Sequence, residues 1–504
     1  MRLGCMMRGR GRGRGLAAVL VLVLVLAPLA GAEGRPRYGG VVETALLGAP
    51  ATLDPVQAAG HAELTLVELV LDTLYRPGAD GVARPHLALG PPVITGSTVR
   101  IALRPGVRFH DGSALTPVDV VASLERVRGS GARWVLAGIK AIRADAAGLE
   151  LTVAGPWVDV ATALALPATS ITRGGRAPGE RVIGTGPFRL TTLDRAGHRV
   201  VLEAFDDHVA GRPYLDRLVL RWHDTSDGEA RAFETGAAHL SARGVAAFTG
   251  AQPKYRARDV ESPAALLVYL GFGRAHAAVT DERGFRRALD LALARGALAS
   301  VGSGERTVPT RSPVPVEAGG PALAQVGRTD DLPGARAALA EAARRVPALA
   351  PARLAALQLE ILVEDARPDD RELAERVAHA LGKLGLGSVI TAVAAPVMRD
   401  RVARGACDLW IGQLEAPITA APVWWGAAFA AGGDTWAEGR LAAGKLDVAA
   451  AGRAFAERLP IVPLLFRGVR LWHRTDVRGV GFDASGQPGY ADVFLYGEPV
   501  RSKK

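Results

Sequence analysis

The sequence predicts an α/β protein with more than one hydrophobic core. At 504 residues the chain exceeds the roughly 250–300 residues at which a single core stops growing. Strand-like alternation and helical periodicity succeed one another along most of it. The stretch from Thr98 to Val127 passes from strand to glycine turn to capped helix and organises what surrounds it. Apolar residues make up 49% and charged residues 22% of the chain, the balance of a globular protein rather than a disordered or membrane-embedded one.

Residues 1–32 read as a secretory signal. Arginines at 2, 8, 10, 12 and 14 precede an apolar run from Leu16 to Ala27, and Ala30-Gly31-Ala32 fits a small-residue cleavage site, so the mature chain is expected to begin near Glu33. The run is short of the roughly 20 apolar residues a membrane span needs. Without paired arginines, general secretion is expected over the twin-arginine route. The Arg-Gly repeat before that run serves as its positive flank, and no nucleic-acid partner is expected. The formal charge is +10, and loss of the five signal arginines leaves +5, too mild to imply an anionic partner. Cys5 lies in the signal and Cys407 stands alone, so neither a disulfide nor a lipid-attachment cysteine is expected, and Cys407 reads as a small buried apolar residue. The chain contains no Asn, which excludes N-glycosylation.

In the organising stretch Val99, Ile101 and Leu103 alternate with polar or small residues as in a strand. Pro105-Gly106 and His110-Asp111-Gly112 supply turns. Thr116 is placed to cap a helix with Pro117 at its first position and Asp119 in its first turn, and Val118, Val121 and Leu124 are expected on its apolar face. Before it, Leu66, Leu69, Val70 and Leu74 mark a helix over 62–74. Beyond it, strands are expected at 149–153, 200–202, 218–222 and 266–270, and short helical turns at 229–236. An amphipathic helix follows from Phe285 to Arg295. Pro309, Pro313 and Pro315 rigidify a loop, and 319–354 reads as exposed helical pieces. Leu373, Val377, Leu381 and Leu384 form the core face of another helix before a strand at 389–393.

The run Leu103-Arg104-Pro105-Gly106-Val107-Arg108-Phe109-His110-Asp111-Gly112, with Leu115-Thr116 and Asp119-Val120 after it, resembles the signature of the family 5 extracellular solute-binding proteins, the oligopeptide, dipeptide and nickel receptors of ABC importers. Gly184-Thr185-Gly186-Pro187-Phe188 is similar to a second family segment. It lacks the Lys-Ser or Lys-Thr of a phosphate loop, and Pro187 removes an N–H such a loop would use. Leu71-Asp72-Thr73-Leu74-Tyr75, Pro213-Tyr214-Leu215-Asp216 and Leu459-Pro460-Ile461-Val462-Pro463-Leu464 follow the family order. The resemblance implies a two-lobe periplasmic-binding-protein fold, type II and large-cluster-C-like, with a hinge and an inserted subdomain. It divides the chain into a signal (1–32), lobe I (33–75, 184–268 and 478–504), the inserted subdomain (76–183) and lobe II (269–477).

Cys407-Asp408-Leu409-Trp410-Ile411-Gly412-Gln413-Leu414-Glu415 resembles the family's ligand-pocket segment. Gln413 stands where that segment has Trp. The acid that pairs with a ligand's amino group in peptide binders is missing at Ala416, with Glu415 one position away. Trp410, Trp424 and Trp425 are candidate cleft walls, with Arg404, Gln413 and Glu415 as polar neighbours, although each Trp reads equally as lobe II core. The ten histidines show no pair at helical spacing and no Cys/His cluster, so no metal and no cofactor are expected. G-x-S-x-G is also missing, so an enzyme is not expected. The resemblance implies a monomeric periplasmic receptor that carries a peptide or other small polar solute to an ABC permease. A non-transporting interaction or sensing module is the alternative that the altered pocket segment raises, with a secreted hydrolase third.

Overall fold

Two short crossings divide the chain into lobes. The computed structural model describes residues 36–496, apart from residues 47, 79, 156–158, 180, 224, 243–256, 302–305, 322–329 and 418; the expected signal lies outside the described residues. One crossing joins strand Ala257–Glu261 to strand Leu266–Phe272, and the other joins Val462–Gly468 to Arg470–Arg474. They are tied to each other, since Ser262 N–H donates to the Val469 carbonyl (2.8 Å) and Val469 N–H donates to the Ser262 hydroxyl (2.7 Å). Strand pairing places both crossings earlier than expected. Leu266–Phe272 already belongs to the lobe II sheet, and Arg470–Arg474 pairs with Ala257–Glu261 in lobe I, so the boundaries fall near 262–265 and 469 rather than at 268 and 477. Apolar runs continue across a hinge, and pairing, which the residues do not display, decides the boundary.

Lobe I holds a four-stranded sheet ordered Val41–Ala45, Arg217–Arg221, Arg199–Ala204, Phe188–Asp194, with the first pair parallel and the rest antiparallel. Helix His61–Val70 contributes Leu66 and Val70 to the same core as Val42, Leu202 and Leu218. It stops four residues short of the expected Leu74, because Leu71 is extended.

The inserted segment forms its own antiparallel sheet ordered Val93–Thr95, Thr98–Ala102, Gly148–Val153, Ile139–Asp145. Helix Pro117–Arg128 packs on it and opens with a reciprocal capping box: Asp119 N–H donates to the Thr116 hydroxyl, and Thr116 N–H donates to the Asp119 carboxylate. Its buried face is Val120, Ser123, Leu124 and Val127, whereas Val118 is 67% exposed. The expected face was thus displaced. The 3.6-residue period fits both phases, and only packing against the sheet chooses one.

Lobe II is a six-stranded sheet ordered Arg306–Pro309, Val462–Gly468, Leu266–Phe272, Leu409–Glu415, Gln358–Glu364, Gly387–Val393, with its last three strands parallel. Alternation along Leu266–Phe272 divides its two cores. Val268 and Leu270 face helices Arg283–Ala292, Leu332–Ala343 and Pro368–Lys383, while Leu267 and Tyr269 face Trp410, Trp424 and Phe466. Leu332–Ala343 buries Ala335, Leu339 and Ala342, so part of the stretch expected to be exposed is core. Among the described residues no helix is long and apolar enough to cross a membrane.

Candidate functional site

In lobe II the parallel strands Gln358–Glu364 and Leu409–Glu415 end together, and the helix Pro368–Lys383 begins beside them. Ligands of open α/β sheets bind outside such carboxyl ends. Glu364, Arg367, Asp370, Gln413 and Glu415 gather here. Period two puts Gln413 and Glu415 on one face of their strand and Trp410 on the other. Arg367 bonds Glu364 at 3.0 Å and lies 3.8 Å from Asp370. Asp370 is fully buried, and burial raises its carboxyl above the usual range against the pull of Arg367 and Arg467. Burial likewise pushes Glu364 up to about 7, opposed by Arg367 and assisted by Asp370 and Glu63.

Lobe I meets this group with the first turn of helix His61–Val70. Gly60 lies so close to Arg367 that an added Cβ would sit 2.6 Å from its Nη2 and 3.7 Å from the Gln413 amide oxygen. Arg399 of lobe II bonds Glu63 and the Gln57 carbonyl. Glu415 is buried at the junction. Its Oε1 accepts from the Gln487 amide at 2.7 Å, and its Oε2 lies 3.4 Å from His61 Nδ1 with no hydrogen bond among the described residues. Thr65 donates to Gln487 at 2.6 Å and fixes that amide. Beside them burial raises the carboxyl of Glu68, with Asp483 and Glu415 adding to it against Arg76, and burial raises that of Asp483 to about 6, with Glu415 adding to it against backbone hydrogen bonds and Arg76.

Along the same seam the loop after Glu415 leads to Thr419, which touches Gly81 of the inserted subdomain. Here a cavity of about 690 Å³ opens between the subdomain and lobe II, lined among others by Val82, Trp134, Asp159, Thr162, Thr419 and Val423. Its volume lies within the roughly 300–1,000 Å³ of small-molecule sites. Trp134 packs on Gly426, and Arg133 bonds Glu438 at 2.9 Å, so the subdomain also touches lobe II beside the cavity.

Of the six residues singled out in the sequence, the structure brings Gln413 and Glu415 to this seam and does not bring Arg404, which is exposed and paired with Asp400. Trp424 is wholly buried, donates to the Pro417 carbonyl at 3.1 Å and packs edge-on against Phe466. Trp425 packs on Phe455, and Trp410 lies against Gly271 and Tyr269. These three belong to the aromatic core behind the sheet. Sequence reading missed Glu63, Arg367, Arg399 and Gln487. Each sits in a stretch without a motif, and only folding brings together Glu63 and Arg399, 336 positions apart.

The family-like motifs turn out to meet elsewhere, at the end of helix His61–Val70. Gly186 N–H donates to the Val70 carbonyl at 3.0 Å, His110 N–H donates to the Gly184 carbonyl at 2.8 Å, and the Thr185 hydroxyl donates to Asp72 at 3.0 Å. Asp72 also accepts from Arg76 (2.5 Å) and lies 2.8 Å from His86 Nε2 and 3.4 Å from His208 Nε2. Two histidines far apart in the sequence, His86 and His208, thus meet at Asp72, a cluster that no spacing in the chain announces.

Solved structures share this architecture. AgaA from A. tumefaciens R10, in complex with agropinic acid, superposes with a TM-score of 0.73 at 19% identity, covering 91% of this chain and 99% of that one. DppA from Helicobacter pylori, in complex with the peptide STSA, gives 0.75 at 18% identity over 92% and 99%. The fold is that of the two-lobe periplasmic binding proteins. The family model of bacterial extracellular solute-binding proteins, family 5 Middle, matches residues 83–433, and the chain belongs to that family of binding proteins. Curated relatives match over a shorter part of the chain. YhjP of Bacillus subtilis is 27% identical over 266 residues, 52% of this chain and 43% of that protein. The glutathione-binding protein GsiB of Pectobacterium atrosepticum is 27% identical over 241 residues, 44% and 45%. The matched part spans less than half the length of these two relatives.

Proposed function

We propose that this chain is the exported receptor of an ABC importer, working as a monomer in the periplasm, and that it closes its lobes on a peptide or other small polar solute carrying an amino group. The observation that carries the reading is Glu415: a carboxylate buried where the lobes meet, with one oxygen held by Gln487 and the other without a hydrogen bond among the described residues. Among the described residues that oxygen has only His61 Nδ1 beside it at 3.4 Å, and a hydrogen bond left unmade at a buried carboxylate costs on the order of 1–3 kcal/mol. A ligand ammonium would recover that energy only when both lobes surround it, so it would bind the closed state better than the open one. The names of the relatives, which mention a peptide, agropinic acid and glutathione, are those of peptides and small polar solutes.

Thermal unfolding of the protein against amino acids, di- to pentapeptides, oligosaccharides and nickel chelates tests this. A ligand at 100 times its Kd stabilises by about 2.7 kcal/mol. Amine-bearing compounds should raise the midpoint, and Glu415→Gln should weaken them at least tenfold. Unchanged affinity in that variant removes Glu415 from the site, and no response to any class would favour the non-transporting module.

A further inference from the structure

We infer that Asp72, His86 and His208 form a three-ligand binding site for a single divalent transition-metal ion, zinc by its chemistry, which staples the inserted subdomain to lobe I at the end of helix His61–Val70. The three side chains are buried, and their ligand atoms lie within 4.8 Å of one another. They come from three separate pieces of chain: the turn after helix His61–Val70, the start of the inserted segment, and the loop after strand Arg199–Ala204.

The decisive observation is the tautomer of His208. Its Nδ1 lies 3.2 Å from the Gly211 carbonyl, which can only accept, so Nδ1 carries the proton. In a neutral ring Nε2 is then a bare lone pair. That nitrogen is buried, falls short of hydrogen-bond geometry, and faces Asp72 Oδ2 at 3.4 Å, a loose ion pair if His208 carries both protons and two opposed acceptors if it carries one. Two acceptors held face to face call for a positive charge between them. His86 Nε2, 2.8 Å from Asp72 Oδ1, supplies the third ligand by moving its proton to Nδ1, with no net proton released.

Two imidazoles and a carboxylate are a ligand set that suits zinc. The outer contacts are also those of metal sites: a ligating histidine donates its other N–H to a carbonyl, as His208 does to Gly211, and the carboxylate is held by the Thr185 hydroxyl. Arg76, which also bonds Asp72, has its side chain 38% open to water and can swing out to solvent as the ion enters, so its charge does not bar the ion.

The full chain, stripped with chelator and gel-filtered after exposure to Zn²⁺ alone, should retain about one zinc per chain. With Co²⁺ it should show the visible absorption of a low-coordinate nitrogen and oxygen site, and Zn²⁺ should raise its unfolding temperature. His208→Gln and, separately, His86→Gln should each lower retention at least tenfold while keeping the wild-type circular dichroism spectrum. Failure of the wild-type protein to retain zinc overturns the inference and leaves a doubly protonated His208 as the charge between the acceptors. Full retention by both folded variants also overturns it, because the ion then lies elsewhere.

Discussion

Gly186 carries a prediction that follows from distances alone. In Gly186→Ala the new methyl carbon would meet Val70 C at 2.5 Å, Leu71 N at 2.7 Å and Leu69 O at 2.8 Å, all backbone atoms. Neither side can yield freely. Gly186 N–H is bonded to the Val70 carbonyl, its own carbonyl is 2.9 Å from His110 Nε2, and Pro187 follows it. Relief requires the two segments to part by about an ångström. That motion breaks the Gly186–Val70 bond, worth about 0.5–1.5 kcal/mol, on top of about 1–3 kcal/mol for overpacking, offset by about 0.4–1 kcal/mol of lost chain entropy in the unfolded state. The net cost spans about 0.5–4 kcal/mol with a midpoint near 2.3 kcal/mol, and at 1.4 kcal/mol per factor of ten the midpoint is roughly 40-fold in a local opening equilibrium. Hydrogen exchange of the Leu71 amide, which donates to Val67 at 2.7 Å, reads that opening. Acceleration of less than threefold would refute the argument that this glycine exists for close packing.

Three other substitutions test other parts of the account. Gly382→Ala, within helix Pro368–Lys383 with nothing inside 4 Å of the new methyl, should stabilise by about 0.5–1 kcal/mol, and a lower urea midpoint would contradict that. Trp424→Ala should cost lobe II about 3–5 kcal/mol by leaving a cavity, with ligand affinity retained in the folded fraction, whereas a cheap substitution that abolishes binding would place this Trp in the cleft. Glu364, raised to about 7, keeps a proton that the unfolded chain releases near its ordinary value, so its contribution to stability is lost as pH rises from about 4.5 through 7. Unfolding midpoints of Glu364→Gln should therefore fall less than wild type across that window, and parallel curves would show that Glu364 is ionised throughout.

What the sequence disclosed was local. The Thr116–Asp119 capping box and the strand Thr98–Ala102 could be read because their partners are a few residues away or repeat with a fixed period. Helix Pro368–Lys383 was legible for the same reason, with Leu373, Val377 and Leu381 all wholly buried. Val118 was misplaced because period alone does not fix phase. The seam was half visible: Gln413 and Glu415 stand in a family-like segment, but their lobe I partners His61, Thr65 and Gln487 lie in stretches with no motif of their own. The Gly184-Thr185-Gly186-Pro187 run could be recognised by resemblance, yet its physical reason, the approach of one backbone to the end of a helix, exists only in three dimensions. The tryptophans illustrate the converse: large aromatic residues near a pocket segment are legible as important, but only the alternation of the sheet shows which side they fill.

Small-angle scattering of the full chain, with and without an amine-bearing ligand found by thermal unfolding, tests the central claim most directly. If the lobes close on the ligand about the Ser262–Val469 hinge, the radius of gyration falls on saturation, and the change is lost or much reduced in Glu415→Gln at the same ligand concentration. A saturating ligand that leaves the radius of gyration of the wild-type protein unchanged would contradict closure as the means of capture.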